Sequence, residues 1–361
     1  MGLISKGKRA VAQKAARRKG LLERLADGPI ICAEGYLFEL ERRGYVQAGA
    51  FVPEAVLDHP EIVAQVHRDF VHAGSDVVEA FTYYAHREKL RLIGREHQLE
   101  AMNRGALAIA KAVANETGAL FAGDICNTNI YEPGNARAGK ACRAMFEEQV
   151  QWAAEAGVDY VIAETFSYGA EAKLALEIIK AAGLRAAVTM TIHREPVTRD
   201  GMTPEDCCRM LADAGADVVG LNCIRGPRTM LPMIARIVRA VNVPVAALPV
   251  PYRTHNRQST FQSLRDSHCD CIPGDMPFPV ALDPFTCNRF EIAEFTRKAV
   301  DLGVRYIGLC CGAMPHHIRS IAETLGRTPP ASRYSADMSK HAFFGTNAKL
   351  KKSNTDFAVK L

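Results

Sequence analysis

No apolar run in this 361-residue chain reaches the roughly 18 residues a helix needs to cross a bilayer, which excludes a helical membrane span. The first twenty residues contain no acid, although Lys6, Lys8, Arg9, Lys14, Arg17, Arg18 and Lys19 all fall there. That stretch also lacks the long apolar core of a secretory signal. It reads as a solvated basic amphipathic helix, with a targeting or anion-binding arm as the alternative. A disulfide framework is absent too. The 11 cysteines are odd in number and scattered, and a chain this long needs no staples. A reducing cytoplasm is expected, with some thiols free for metal or catalytic work. Cys32, Cys126, Cys142, Cys207 and Cys208 have no partner at ligand spacing and are expected as small apolar core residues. The net charge of +5 is modest and gives no case for a nucleic-acid partner.

What is present is a repeated grammar. FVHAGSDVVEAFT, WAAEAGVDYVIAET, MLADAGADVVGLNC and KAVDLGVRYIG each run from an apolar helix end through Ala-Gly or Leu-Gly into a continuous apolar strand. Unbroken apolar strands fed by helices mark a parallel sheet buried on both faces. Eight such strands are expected, at 29–35, 76–82, 119–126, 159–165, 185–192, 217–223, 243–250 and 304–311. Helical periodicity fills 20–26, 60–73, 99–115, 140–156, 170–182, 204–214, 229–241 and 289–302. Eight strands alternating with helices predict an α/β fold of the (β/α)8 TIM barrel type over 20–327. A basic arm (1–19) precedes it, and a polar tail (328–361) follows as a subunit-contact arm or partly disordered segment.

Catalytic groups of such a barrel gather where strands end, on one rim. The ends here are Glu34, Thr82 with Tyr83 and Tyr84, Asp124, Glu164, Asn222 with Cys223, and Cys310 with Cys311. The adjacent thiols at the end of the eighth run can share a face only if the chain bulges or turns there. With Cys223 they form an incomplete tetrahedron, the catalytic form of a zinc site with one open corner. The competing reading is three buried thiols. A second cluster, His268, Cys269 and Cys271, is too tightly spaced for the usual zinc pair and is read as a loop feature. It lies in the long polar loop 251–284, which is expected to close over the site or meet another subunit, with Cys287 just past it. Three thiolates leave zinc at net −1, a poor activator of water. A coordinating thiol still loses its proton, so the arrangement suggests alkyl transfer to sulfur more than hydrolysis.

LNCIRG, GVRYIGLCCGAMPHHIRSIAE, EGYLFELERRGYVQAGAFVPEAVLDHPE and AFTYYAHREKL resemble the homocysteine S-methyltransferase family, nearest its betaine branch, over about 20–332. The resemblance implies a zinc-dependent, cobalamin-independent (β/α)8 enzyme that forms a homodimer or homotetramer. Cys223, Cys310 and Cys311 would hold Zn2+, and homocysteine sulfur would take the fourth corner, with no catalytic residue beyond the metal site. Glu164 corresponds to the acid that holds the homocysteine amino group, with Glu34, Gly35 and Asn222 beside it. The family's usual aspartate and two glycines are here Glu34, Gly35 and Tyr36. Its donor-site tryptophan is Phe51, the tyrosine after the strand-four acid is Thr165, and Tyr84 matches a donor-site tyrosine. An aromatic cage of Phe51, Tyr84 and Tyr36 is therefore expected for an onium donor. Glycine betaine is the first choice, giving methionine and dimethylglycine. Dimethylsulfoniopropionate or S-methylmethionine is the alternative, and a non-catalytic zinc-binding barrel is the reading from another class. A phosphate-binding lyase would need a glycine-rich turn after strands seven and eight and a lysine inside a strand, and both are missing.

Overall fold

The computed structural model describes residues 18–47, 49–266 and 276–333, with 338–342, 345–346, 354, 356 and 359–360 beyond them. Most of the basic arm, the cluster of His268, Cys269 and Cys271, and much of the tail lie outside the described residues. Eight parallel strands form the expected barrel: β1 (Ile30–Ala33), β2 (Val77–Glu79), β3 (Leu120–Cys126), β4 (Tyr160–Phe166), β5 (Ala186–Met190), β6 (Val218–Asn222), β7 (Val245–Leu248) and β8 (Tyr306–Leu309). Every residue of every strand is buried, which is why the runs carry no polar alternation. The ladder order is β1-β8-β7-β6-β5-β4-β3-β2. Asp76 bridges the remaining seam. Its N–H donates to the Ile31 carbonyl (2.8 Å), its carboxylate accepts from the Ile31 N–H (2.8 Å), and Arg327 pairs with it at 2.6 Å. The last residue of the predicted barrel is thus tied to the seam that closes it.

The helices are α1 (Leu21–Asp27), α2 (Tyr36–Arg42), α3 (Ala55–Asp58), α4 (Pro60–Ala73), α5 (Arg87–Leu92), α6 (Leu99–Thr117), α7 (Ala136–Ala156), α8 (Gly169–Ala181), α9 (Pro204–Asp213), α10 (Pro227–Ala240), α11 (Arg289–Asp301) and α12 (Pro315–Thr324). Among the described residues, no helix is long and apolar enough to cross a membrane. One core lies between sheet and helices; the other fills the barrel with Cys32, Leu120, Tyr160, Ile162 and Tyr306. The Tyr160 and Tyr306 hydroxyls meet across that interior at 2.8 Å. Leu21 and Leu25 of α1 plug its lower end, each contributing about 1.5–3 kcal/mol by burial. Cys32, Cys126, Cys142, Cys207 and Cys208 are buried as expected.

Sequence and structure differ at the strand ends. β6 stops at Asn222 and β8 at Leu309, so Cys223 and the cysteine pair lie in the turns that follow rather than in the strands. Four helices, α2, α3, α5 and α12, lie outside the stretches expected to be helical from the sequence.

Candidate metal centre and substrate site

The three sulfurs converge because each is delivered by a turn. Cys223 has φ +56° and Ile224 φ +57°, a left-handed pair in which the Cys223 N–H is still held by the Leu248 carbonyl at 2.9 Å. The Cys310 N–H is fixed to the Pro249 carbonyl at 3.0 Å, so the end of β7 holds both halves of the cluster. Gly312 completes the second turn at φ +91°. A Cβ there would sit 2.3 Å from the Tyr252 hydroxyl, which itself accepts from Arg42 at 3.0 Å. Gly35 is equally constrained: a Cβ would lie 2.7 Å from that of Ala313, just beyond the cysteine turn.

The Sγ atoms of Cys223, Cys310 and Cys311 all lie within 4.8 Å of one another, and Cys310 and Cys311 are 3.9 Å apart. Tetrahedral zinc–thiolate bonds of about 2.3 Å place neighbouring sulfurs about 3.8 Å apart, so the donor set fits that ion in softness, number and spacing. Hydrogen bonds from the Cys310 and Cys311 thiols hold Cys223 well below the usual thiol range. Burial pushes Cys310 up, and the hydrogen bond between Cys311 and Cys223 is the main cause that raises Cys311. In the metal-free cluster negative charge is favoured on Cys223 and disfavoured on its two neighbours.

Directly beside it four carboxylates are buried: Glu34, Glu79, Asp124 and Glu164, each at most 6% exposed. Burial raises all four, Glu164 to about 8. A bulge positions Glu164. The β4–β5 register shifts between Ala163 and Phe166, with Thr165 at φ +60°. Asn222 is the hub. Its Nδ2 faces Glu164 Oε2 at 2.5 Å, Thr165 Oγ1 at 2.8 Å and Glu34 Oε2 at 3.3 Å, while its Oδ1 accepts from the Thr165 N–H at 3.0 Å. Both carboxylate oxygens of Glu79, Oε1 of Glu34 and Oδ1 of Asp124 have no hydrogen-bond partner among the described residues. These acids share a small chamber with Tyr36, Cys310 and Cys311, with room for about one water. Among the described residues no lysine, arginine or histidine lines the chamber, so these acids face no cation from the chain.

On the other side of the sulfurs opens a cavity of about 310 Å³, floored by Cys223 and Cys311. Phe51, Tyr83, Tyr84, Phe261 and Phe278 contribute rings to its wall, and Phe51 stacks on Phe38 at 6.1 Å. His193, Arg199 and Glu171 also line it. Burial lowers His193, whose ring meets the Ser167 hydroxyl at 2.8 Å, and one oxygen of Glu171 accepts from Thr128. All six described non-glycine residues with positive φ line this cavity: Phe51, Tyr84, Asn129, Thr165, Cys223 and Ile224. Backbone strain concentrated around one void marks a functional site, because the surrounding packing must hold each residue there.

The structure brings Cys223, Cys310, Cys311, Glu34, Glu164 and Asn222 together. It places Phe51 and Tyr84 in the larger cavity but Tyr36 in the acidic chamber, where its ring packs edge-on against His67 at 4.7 Å. The expected three-ring cage is therefore divided between the two spaces. The ring of Tyr84 also carries the Lys89 ammonium at 4.0 Å. The long loop after β7 brings Phe261 and Phe278 to the cavity wall, 5.0 Å apart. Sequence reasoning passed over Glu79. Its signal was an acid inside an apolar strand, DVVEAFT.

The family model described as homocysteine S-methyltransferase matches residues 31–325. The S-methylmethionine–homocysteine S-methyltransferase of Mus musculus is 36% identical, covering 94% of this chain and 90% of that protein. Betaine–homocysteine S-methyltransferase 1 of Danio rerio is 36% identical over 92% of this chain and 82% of its own length, and that of Mus musculus 37% over 93% and 81%. Among solved structures, the metallated form of the homocysteine methyltransferase MmuM from Escherichia coli superposes with a TM-score of 0.63. It is 19% identical, over 82% of this chain and 96% of that one, and supports the fold.

Proposed function

The chain belongs to the homocysteine S-methyltransferase family, and on that premise we propose that it transfers a methyl group from glycine betaine to homocysteine without cobalamin, using zinc held by Cys223, Cys310 and Cys311. The products are methionine and dimethylglycine. One observation carries this reading: Cys311 lines both an acidic chamber and an aromatic cavity, so a thiol at the cluster has a cation-binding space on one side and an onium-binding space on the other.

The ammonium of homocysteine enters the chamber and pairs with Glu164 and Glu34, which Asn222 holds in place. Glu79 and Asp124 lie behind them as further buried acids, and Gly35 lets the chain approach the cysteine turn. Zinc, when bound, keeps the substrate thiol deprotonated at neutral pH. The onium donor lies among Phe51, Tyr83 and Tyr84, whose ring faces attract a cation, with Arg199 available to its carboxylate. The thiolate sulfur attacks the methyl carbon in line. The carbon–nitrogen bond breaks, its electron pair stays on nitrogen, and both charges vanish. Loss of opposite charges is favoured in a dry, low-dielectric space, and the neutral leaving amine needs no general acid.

A second reading concerns the donor. Glu171 shares the cavity with Arg199, and that pair suits the zwitterionic tail of S-methylmethionine, whereas dimethylsulfoniopropionate, like betaine, needs the guanidinium alone. Relatives named for either donor are equally similar to this chain, so identity does not choose. The test combines zinc content with methionine formation from homocysteine and a donor panel. Turnover highest with betaine supports the proposal. Turnover highest with a sulfonium moves the donor, and stoichiometric zinc without turnover from any donor leaves a non-catalytic zinc-binding barrel.

A further inference from the structure

A separate cleft of about 750 Å³ opens among the residues after β5, the start of α10 and the loop after β7. Its charge is one-sided. Arg194, Arg225, Arg228, Arg236, Arg257 and Arg265 line it without a lysine, against Glu195 in the lining and Glu205, which Arg236 engages at 3.0 Å. Arg225 is the informative member, being only 6% exposed. Its partners among the described residues are neutral: the main-chain carbonyls of Ile192 (2.9 Å), His193 and Arg194 (3.0 Å). A buried guanidinium facing no carboxylate calls for a counter-ion from outside the chain. The fourteen-residue α10 also begins here, with Arg228 and Thr229 bordering the cleft in its first turn. Its N-cap is Gly226, which supplies no side-chain acceptor, so the positive end of the helix adds to the arginine field.

We propose that this cleft binds a small oxyanion ligand of the diphosphate class. Planar guanidinium forks engage tetrahedral phosphoryl oxygens two at a time, and several such forks with a helix terminus exceed what a single carboxylate can satisfy. The site is distinct from the sulfur cluster, but the two are connected. Arg225 lies two residues past Cys223 and grips the carbonyl of His193, whose ring lines the main cavity. A ligand that engages Arg225 thereby fixes one wall of the donor space.

The test is calorimetric titration of the zinc-loaded full chain with inorganic pyrophosphate at constant chloride. The comparison is a variant carrying Arg228→Glu and Arg257→Glu, both at exposed positions outside the reacting site. The expected result is one saturable site in the native chain, weakened at least tenfold in the variant, with metal content and methyl transfer in the absence of pyrophosphate unchanged. The single change Arg257→Gln should weaken binding by a smaller factor and serves if the double variant folds poorly. Absence of a saturable heat, or equal affinity in native and variant chains, overturns the assignment.

Discussion

The two spaces that meet at Cys311 are made of opposite materials. The chamber has four buried carboxylates, several unpartnered oxygens and room for about one water. The cavity is larger, walled by rings, and holds every described non-glycine residue with positive φ. On the proposed reading, the first would recognise by charge in a confined, low-dielectric space, where an unpaired group is costly and a matching cation is strongly held. The second would recognise by shape and ring faces, which tolerate exchange among onium groups. A barrel built this way should be strict about its acceptor and adaptable about its donor. That division is consistent with relatives that share an acceptor and differ in donor.

The largest effect should come from the cluster shared by both spaces. Cys310→Ala should remove metal and activity together, by more than the roughly 100-fold caused by loss of an outer-shell partner, while circular dichroism shows an intact barrel. Retained full activity would contradict the ligand assignment. Next, Glu164→Gln should raise KM for homocysteine about 10- to 100-fold, since hydrogen bonds to charged groups contribute roughly 1.5–3 kcal/mol, and leave KM for the donor unchanged. Equal change in both constants would erase the distinction between the spaces. Phe51→Ala should do the reverse, raising donor KM about 2- to 30-fold, the range of a cation–π contact, with homocysteine unaffected.

The smallest effect concerns stability. Glu79 has a folded pKa well above its ordinary value of 4.5, with burial the first cause. The folded chain therefore retains a proton that the unfolded chain gives up. The stability this contributes is complete below pH 4.5 and is lost as pH rises through the folded value. Glu79→Gln should raise the melting temperature of the ligand-free protein at pH 7, by about 1 kcal/mol of stability, and flatten its decline with pH. A lower melting temperature would mean that Glu79 has a stabilising partner.

Much of this architecture was readable from residues alone. Helix, glycine and unbroken apolar run recur because each strand is buried on both faces, and Gly303, just past the end of α11, takes the left-handed φ of +97° that turns the chain into β8. The convergence of the cysteines and Glu164 on one rim was readable because each stands where an apolar run stops. The exact strand ends were not, because Cys223 and Cys310 continue an apolar pattern while their backbone has already turned. Tyr36 was grouped with Phe51 and Tyr84 in sequence, whereas its ring lines the acidic chamber. Nearness in sequence to a site does not tell which side of a sulfur cluster a ring will occupy. The wall formed by Phe261 and Phe278 comes from a loop without periodicity, and the chamber's acids come from four different strands or strand ends. Such groupings exist only once the barrel closes.

The central claim is three protein sulfurs around one ion, with a corner reserved for the substrate. X-ray absorption at the zinc edge, with and without homocysteine, tests it directly. The account predicts one zinc per chain bound by three sulfurs, rising to four when homocysteine is added. Four protein ligands unchanged by homocysteine, or a bound zinc with fewer than three sulfurs, would contradict it.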